Sequence, residues 1–253
     1  MSTLAIIPAR LGATRLPRKP LRLLAGRPLI VRVWERVVAM NIAERVVIAT
    51  DSPDVQAAAT EAGAEVLLTA ESHPSGTDRV AEVARQPAFR RAEVVVNVQG
   101  DEPFVSAAAV RGAMHMVSSG RFALATAACH ASPKVLAQPD IVKVMTDDSG
   151  RAMYFSRSAI PFLREQEDTS ARNALVRRHV GVYAYTQQAL AAWVALPLHP
   201  LERVERLEQL RPLAAGWAMG VARIDEASPG GIDTEQDLVH ANARWADFSR
   251  GRL

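Results

Sequence analysis

The chain has 253 residues, of which 49% are hydrophobic and 23% charged, with a formal net charge of +3 at pH 7. This composition is typical of a folded globular protein and excludes a disordered chain. The small net charge gives no argument for nucleic-acid binding, which usually requires basic side chains concentrated on one face.

The single cysteine, Cys129, excludes an internal disulfide and a cysteine-rich zinc site. The first ten residues lack the basic region and the apolar run of a signal peptide. No apolar stretch approaches the roughly 20 residues that are needed to cross a bilayer. We therefore expect a cytoplasmic protein without membrane contacts.

The first half of the chain alternates short apolar strands with amphipathic helices. The predicted strands are 4–8, 46–49, 64–68 and 94–98, and the predicted helices are 28–40, 53–62, 78–85 and 107–118. Thr77 is the predicted N-cap of the third helix. This alternation predicts an α/β fold with a mostly parallel, doubly wound sheet. Ligands of such sheets bind beyond the carboxyl ends of the strands.

From about residue 122 the pattern changes to strands separated by turns. Strands are predicted at 124–129, 142–146, 152–156 and 180–185, followed by helices 188–195 and 201–210, a strand 217–224, a glycine-rich turn 228–231 and a last helix. We expect one domain over 1–253, with 1–120 and 190–253 as its core. Residues 121–189 would form a smaller β-rich lobe that serves as a lid or as a dimerisation element.

The first 34 residues contain no Asp or Glu but seven basic residues: Arg10, Arg15, Arg18, Lys19, Arg22, Arg27 and Arg32. Part of this set lies in the loop after the first predicted strand, where Gly12 lets backbone N–H groups approach an anion. Arg10, Arg15 and Lys19 would add charge for phosphate oxygens. The alternatives are a basic surface loop that binds no ligand and a nucleic-acid-binding loop without catalysis.

Two acidic loops are candidates for metal binding. Asp101 follows the strand 94–98, where a carboxylate can hold Mg²⁺ together with substrate phosphates, although Gly-Asp and Glu-Pro also occur in ordinary turns. Asp233 is a second candidate ligand, or the N-cap of the last helix. The chain has no GxGxxG, GxxxxGK[ST], HExxH or GxSxG motif.

Eight segments together resemble the 3-deoxy-manno-octulosonate (Kdo) cytidylyltransferases. They are IIPAR (6–10), TRLPRKP (14–20), HPSGTDR (73–79), NVQGDEP (97–103), YFSR (154–157), RHVGVYAY (178–185), LEQLR (207–211) and GGIDTEQDL (230–238). The resemblance runs in order over nearly the whole chain. It implies a fold of the nucleotide-diphospho-sugar transferase type, a homodimer, and CMP transfer from CTP to Kdo with release of pyrophosphate in lipopolysaccharide biosynthesis.

The resemblance also implies a role for particular residues. The nucleotide site comprises Arg10, Arg15, Lys19, Ser75 and Gly76, and the sugar acid site comprises Gln99, Arg157, His179, Tyr183, Glu208 and Gln209. Asp101 and Asp233 would bind Mg²⁺. Lys19, Arg15 and Asp101 would be the catalytic residues.

Several alternatives remain open at this point. His179 and Tyr183 alternate with valines on a strand and are also compatible with face-lining residues, while Glu208 and Gln209 are compatible with a solvated helix face. Another 2-keto sugar acid, 8-amino-Kdo or a sialic acid, is an alternative acceptor. Ala13 replaces the Ser usual in the family, and Pro74 stands where Gln is frequent.

Overall fold

The structure is a computed structural model that describes residues 2–12, 15–225 and 230–250. In chain order its first elements are β1 (Thr3–Ala9), β2 (Leu23–Leu24), β3 (Arg27–Pro28), α1 (Leu29–Ala39), β4 (Arg45–Thr50), α2 (Pro53–Glu61), β5 (Glu65–Leu68), α3 (Gly76–Ala84), β6 (Val94–Val98) and α4 (Ala107–Ser118). The remaining elements are β7 (Leu124–His130), β8 (Lys143–Thr146), β9 (Ala152–Ser156), α5 (Thr169–Leu175), β10 (Arg177–Tyr185), α6 (Gln187–Ala195), α7 (Pro200–Glu205), α8 (Leu210–Ala214), β11 (Gly220–Ile224) and α9 (Glu235–Ser249). Short 3-10 helices lie at Lys19–Leu21, Pro87–Phe89, Pro133–Ala137 and Gln166–Asp168.

The chain forms two compact units, one of residues 1–105 with 229–253 and one of residues 106–228. In the first unit, β1 pairs in parallel with both β4 and β6, and β4 pairs in parallel with β5. Residues of β1 and β6 are buried throughout, as apolar β-branched strands between two helical layers should be. The carboxyl ends of β1 and β6 therefore lie at one edge of this sheet.

In the second unit, β7 pairs in parallel with β11 and antiparallel with β10. Strand β8 pairs antiparallel with β10 and with β9. The predicted α/β fold is confirmed, with mostly parallel pairing in the first unit. The two units divide the chain near residues 105 and 229, so α4 and the segment 190–228 lie with the β-rich strands rather than with the first unit. The predicted division into a core (1–120 and 190–253) and a β-rich lobe (121–189) stays a prediction.

Several local predictions were wrong. The N-cap of α3 is Ser75, whose hydroxyl accepts from the Asp78 N–H, so the helix begins before Thr77. The helix predicted over 201–210 is broken into α7 and α8, because Arg206 adopts a left-handed conformation with φ of 54°. Strand β11 begins at Gly220, three residues later than predicted. The predicted turn at 228–231 lies partly outside the described residues. Among the described residues, no helix is both long and apolar enough to span a membrane.

Candidate active site

Two aspartates from distant parts of the sequence meet at one ammonium group in the first unit. Lys19 Nζ lies 2.5 Å from Asp101 Oδ2 and 3.0 Å from Asp233 Oδ1. Arg15 adds a second cation, with Nη2 3.1 Å from Asp233 Oδ2. The structure therefore brings together four of the predicted residues, two carboxylates and two cations, at the carboxyl edge of the parallel strands.

The protonation state of Lys19 follows from its surroundings. Burial by itself lowers the pKa of the ammonium, but hydrogen bonds and charge attraction from Asp101 and then Asp233 outweigh it, so the pKa is raised. Only 17% of the Lys19 side chain is exposed. Lys19 is thus a fixed positive charge at neutral pH, which suits a residue that faces phosphate oxygens.

The loop around Lys19 is held by its own backbone. Arg18 has a left-handed φ of 54°, and Lys19 then starts a 3-10 helix whose next residue, Pro20, is buried. The Arg18 guanidinium pairs with Asp54 of α2 at 2.7 Å. A positive φ is costly for a residue with a side chain, so this turn persists because its surroundings hold it.

Asp233 is not the N-cap of α9, which corrects one of the two readings of this residue. Thr234 is the cap: its hydroxyl accepts from the Asp237 N–H, and the Asp237 carboxylate accepts from the Thr234 N–H, which forms a capping box. The Asp237 carboxylate also accepts from the Asp233 N–H at 3.1 Å. With the cap supplied by its neighbour, the Asp233 carboxylate is available to face Lys19 and Arg15.

The segment before Asp233 is fastened directly to the Asp101 loop. The Ile232 N–H donates to the Asp101 carbonyl oxygen at 2.9 Å. Beside it, a Cβ at Gly231 would lie 3.4 Å from that same carbonyl and 3.5 Å from the Asp101 carboxylate, an ordinary contact that brings the two segments side by side. The distance between the two carboxylates is therefore set by main-chain contacts.

An aromatic cluster also connects these segments. Phe104, three residues after Asp101, packs edge-on against Phe248 of α9 at a centroid distance of 4.9 Å and lies 5.8 Å from Trp245. Arg32 and Arg36 of α1 stack over Trp245 and Phe248, each at 4.9 Å. Cation–π and aromatic contacts of this kind stabilise by about 0.5–1.5 kcal/mol each. They hold α9, and with it Asp233, against the Asp101 loop.

The remaining predicted nucleotide residues lie near the end of β1. Gly76 faces Pro8 and Gln99, with a Cβ there at 3.5 Å from the Pro8 ring and 3.7 Å from Gln99 Oε1. At Gly100 a Cβ would lie 2.6 Å from the Pro8 carbonyl, so only glycine fits this close approach. Ser75 caps α3. Arg10 is exposed and has no ion pair among the described residues.

Sequence reasoning missed a chain of contacts that fixes the loop after β1. Arg79 is buried, and its Nη2 lies 2.8 Å from Asp51 Oδ2. The other oxygen of Asp51 accepts from the Leu11 N–H at 3.2 Å. The Arg of the HPSGTDR segment therefore supports the loop after β1 through Asp51. A basic residue beside the predicted Ser75–Gly76 pair was the only signal for it.

In the second unit, three of the predicted sugar-site residues adjoin one another. The ring centroids of His179 and Tyr183 are 5.6 Å apart, and the Tyr183 hydroxyl donates to Gln209 Oε1 at 3.1 Å. Burial first, then Tyr185 and Glu208, raise the pKa of Tyr183 well above its usual value, so it stays a donor. Gln209 is 3% exposed, which excludes the reading as a solvated helix face.

Glu208 and Gln209 occupy the turn between α7 and α8 rather than a helix. This turn is held by Arg211, whose Nε and Nη2 donate to both oxygens of Glu202 at 2.7 and 2.6 Å. Both side chains are buried, and a two-point contact of this kind is geometrically specific. The LEQLR segment thus presents Glu208 and Gln209 from a rigid turn.

Arg157 is fixed by main-chain acceptors. Its Nε donates to the Glu205 carbonyl at 2.8 Å and its Nη1 to the Pro139 carbonyl at 3.0 Å. Lys143, fully buried, donates to the carbonyls of Gln138, Ile141 and Arg157 at 3.1, 2.7 and 2.5 Å. Sequence reasoning missed Lys143, although a lone lysine in the apolar run of β8 was a signal.

Comparison with known protein families assigns this chain to one of them. The family model described as cytidylyltransferase matches residues 4–224. The chain therefore belongs to the cytidylyltransferase family. The model ends before Asp233, so the second carboxylate comes from outside the matched segment.

Relatives narrow this assignment. The chain is 58% identical over 245 residues to the 3-deoxy-manno-octulosonate cytidylyltransferase of Gemmatimonas aurantiaca, covering 97% of this chain and 95% of that one. It is 46% identical to the protein of the same name from Chromohalobacter salexigens, covering 96% of each chain. Within its family, the chain groups with the 3-deoxy-manno-octulosonate cytidylyltransferases.

Solved structures agree with the fold. A CMP:2-keto-3-deoxy-manno-octonic acid synthetase in complex with CTP matches with a TM-score of 0.89 and 35% identity, covering 98% of this chain and 100% of that one. A 4-diphosphocytidyl-2C-methyl-D-erythritol synthase from Anaerococcus prevotii matches with a TM-score of 0.63 at 15% identity, covering 97% and 98%. The second match shows a shared fold only.

Proposed function

We propose that this chain transfers CMP from CTP to the anomeric hydroxyl of Kdo, releasing pyrophosphate, as a step of lipopolysaccharide biosynthesis. The observation that carries the proposal is the meeting of Lys19 and Arg15 with Asp101 and Asp233 at the carboxyl edge of a parallel sheet. The relatives named above, one of them solved with CTP, support the choice of nucleotide and acceptor.

On the phosphate side, Lys19 and Arg15 would stabilise the charge that develops on the phosphate oxygens as pyrophosphate leaves. Arg10 lies in the same loop and would bind the outer phosphates. A protein accelerates in-line displacement at phosphorus mainly by positioning the reactants and by stabilising the charge of the transition state. A Lys19 held by hydrogen bonds needs little reorganisation during the reaction.

The donor set also fits a magnesium ion. Carboxylate oxygens of Asp101 and Asp233 both lie within 3.0 Å of the Lys19 ammonium, so they are close enough together to share a cation. Mg²⁺ is usually held by one or two carboxylates together with substrate phosphates and water. No cluster of three or more His, Cys, Asp or Glu suited to a metal occurs among the described residues, which fits a site completed by substrate. When bound, Mg²⁺ would neutralise phosphate charge and lower the pKa of the attacking hydroxyl.

On the sugar side, Arg157 is the partner we assign to the sugar carboxylate. Its guanidinium carries five N–H donors, and the two carbonyl contacts fix its plane while leaving donors for a carboxylate. His179, Tyr183, Glu208 and Gln99 would bind sugar hydroxyls. Gln209 accepts from Tyr183, which leaves its amide N–H₂ to donate to the sugar.

We further propose that the protein acts as a homodimer in the cytoplasm. The second unit carries large apolar side chains that are strongly exposed in the single chain, and these support a contact with a second copy; they are Phe162 (86%), Val204 (82%), Met153 (63%) and Leu175 (53%). Sedimentation of the purified protein at micromolar concentration tests the dimer, and a monomer at all concentrations would contradict it.

The direct test is pyrophosphate release with purified protein. CTP, ATP, GTP and UTP are each supplied with Kdo, 8-amino-Kdo and a sialic acid, with and without Mg²⁺. We expect release only with CTP and Mg²⁺, and fastest with Kdo. A preference for 8-amino-Kdo or for the sialic acid would mean that the acceptor is assigned wrongly, while CMP transfer from CTP would stand. No release in any combination would refute the proposal.

Variants then test the assigned roles. Asp101→Asn should abolish turnover with the fold intact, whereas Asp148→Asn, which removes an exposed carboxylate outside the site, should not. Lys19→Ala should slow the reaction by on the order of 100-fold or more if the ammonium acts on transition-state charge. Lys134→Ala, at an exposed position, is the matched control. Wild-type kinetics for either active-site variant would reject that role.

A further inference from the structure

Thr126 is a fully buried residue of β7 that contacts the ring of His179. Its hydroxyl oxygen lies 2.9 Å from His179 Nε2, 2.7 Å from the Val182 carbonyl oxygen and 3.2 Å from the Val180 carbonyl oxygen. The register between β10 and β7 shifts here: Val180 pairs with Ala127 but Tyr183 pairs with Thr126. This bulge turns both carbonyls toward the same hydroxyl.

A hydroxyl carries one hydrogen, and this decides the direction of the contacts. Two oxygens 2.7 Å apart repel each other unless a hydrogen lies between them, so the Thr126 hydroxyl donates to Val182. It then has no hydrogen left for His179. The contact at 2.9 Å is a hydrogen bond only if His179 Nε2 carries a proton and donates to the hydroxyl oxygen.

The ring itself is neutral. Burial first, and then the charge of Arg178, lower the pKa of His179 to about 3. The edge-on ring of Phe155, at a centroid distance of 5.1 Å, adds no hydrogen-bonding group. A neutral imidazole with its proton on Nε2 has an unprotonated Nδ1, which accepts hydrogen bonds and cannot donate them. Among the described residues, Nδ1 has no hydrogen-bond partner.

We propose that Thr126 is a positioning residue that holds His179 in the Nε2–H tautomer, so that Nδ1 accepts a hydrogen bond from a hydroxyl of the sugar acid. The choice of ligand rests on the proposed function, whereas the tautomer does not. The consequence for recognition is directional: at this point the site selects a hydrogen-bond donor and repels an oxygen that has no hydrogen, such as a keto or carboxylate oxygen.

Nitrogen NMR of the imidazoles tests the tautomer directly. The chain has six histidines, and the His179 signals are identified by their loss in His179→Gln. We expect a neutral ring with the proton on Nε2 in the wild type at neutral pH. Thr126→Val, which keeps the shape but removes the hydroxyl, should release the ring into a mixture of tautomers, and Thr126→Ser should restore the Nε2–H form.

Kinetics with CTP and Kdo supply the second readout. Thr126→Val should raise the KM for Kdo by roughly 5- to 10-fold while leaving the KM for CTP near the wild-type value. A purely structural loss would change both constants or the amount of folded protein. Thr126→Ser should recover most of the effect on Kdo.

Several results would overturn the inference. A proton on Nδ1 or an imidazolium in the wild-type spectrum would do so without any variant, and so would an unchanged tautomer in folded Thr126→Val. Absence of pyrophosphate release by the wild type would instead refute the proposed function, and the spectrum would still decide the tautomer.

Discussion

Lowering the pH from about 7.5 to about 5 should destabilise the protein through His179. Its pKa is lowered from 6.5 to about 3, because burial and then Arg178 disfavour the imidazolium. The folded pKa lies below the unfolded one, so as the pH falls through 6.5 the unfolded chain binds a proton and the folded chain does not. Stability is therefore present above that value and is lost between about 6.5 and about 3.

The magnitude follows from the two pKa values. At about pH 5, protonation of His179 in the unfolded chain lowers the free energy of unfolding by RT ln(1 + 10^1.5), or about 2 kcal/mol. The exponent is the difference between the unfolded pKa of 6.5 and the pH. The result depends on the folded pKa lying well below 5, and it changes little between about 3 and about 4. Asp147, whose pKa is lowered to about 2 by Ser149 and Arg151, titrates below this window.

The assay is urea denaturation, followed by circular dichroism, at both pH values. His179→Gln is the matched control, since its amide can place an N–H donor near the position of Nε2 and does not titrate. We expect the wild type to lose about 2 kcal/mol more than His179→Gln on going to the lower pH. Equal losses in the two proteins would refute a buried, neutral His179.

Three further variants test contacts in the two units. Tyr183→Phe removes the donor to Gln209 and should raise the KM for the sugar acid several-fold, at an unchanged KM for CTP in steady-state assays. Lys143→Met should lower the free energy of unfolding in urea by on the order of 2 kcal/mol, because three carbonyls lose their donor; unchanged stability would contradict this. Trp245→Ala should weaken Mn²⁺ binding several-fold in a spin-resonance titration, since its ring helps to hold the helix that follows Asp233; equal binding would show that the cluster is not needed.

Sequence reasoning succeeded where one local signal determines the structure. Runs of β-branched residues such as 94–98 form strands because they bury both faces, and β6 begins and ends where that run does. The α4 bounds also match, since Ser106 caps the helix and a glycine follows it at 120. The resemblance implied that Asp101 and Asp233 belong to one site, and both carboxylates contact Lys19, while their role as Mg²⁺ ligands stays a prediction.

The misses share a cause, which is that tertiary contacts decide between local options. The apolar spacing of 201–210 continues across Arg206, but the left-handed residue there ends α7 and turns Glu208 and Gln209 toward the second unit's own strands. Thr126 looks like an ordinary strand residue, and Lys143 stands out only as a lone lysine in an apolar run. Their roles depend on a bulge in β10 and on carbonyls from separate segments, and no sequence pattern records either.

Under the proposed function, the two units would recognise their ligands by different physical means, and this has a consequence for specificity. In the first unit, Lys19 and Arg15 offer fixed charges whose attraction to phosphate weakens as salt is added. In the second unit, Tyr183 stays protonated and His179 stays neutral over the whole physiological pH range. Hydrogen bonds between neutral groups depend on direction and little on salt.

Raising the salt concentration should therefore increase the KM for CTP strongly. It should change much less the ratio of kcat/KM values for two sugar acids that differ in a hydroxyl. If that ratio falls as much as the affinity for CTP when salt is added, then charge selects the sugar, and the fixed donors and acceptors around His179 do not.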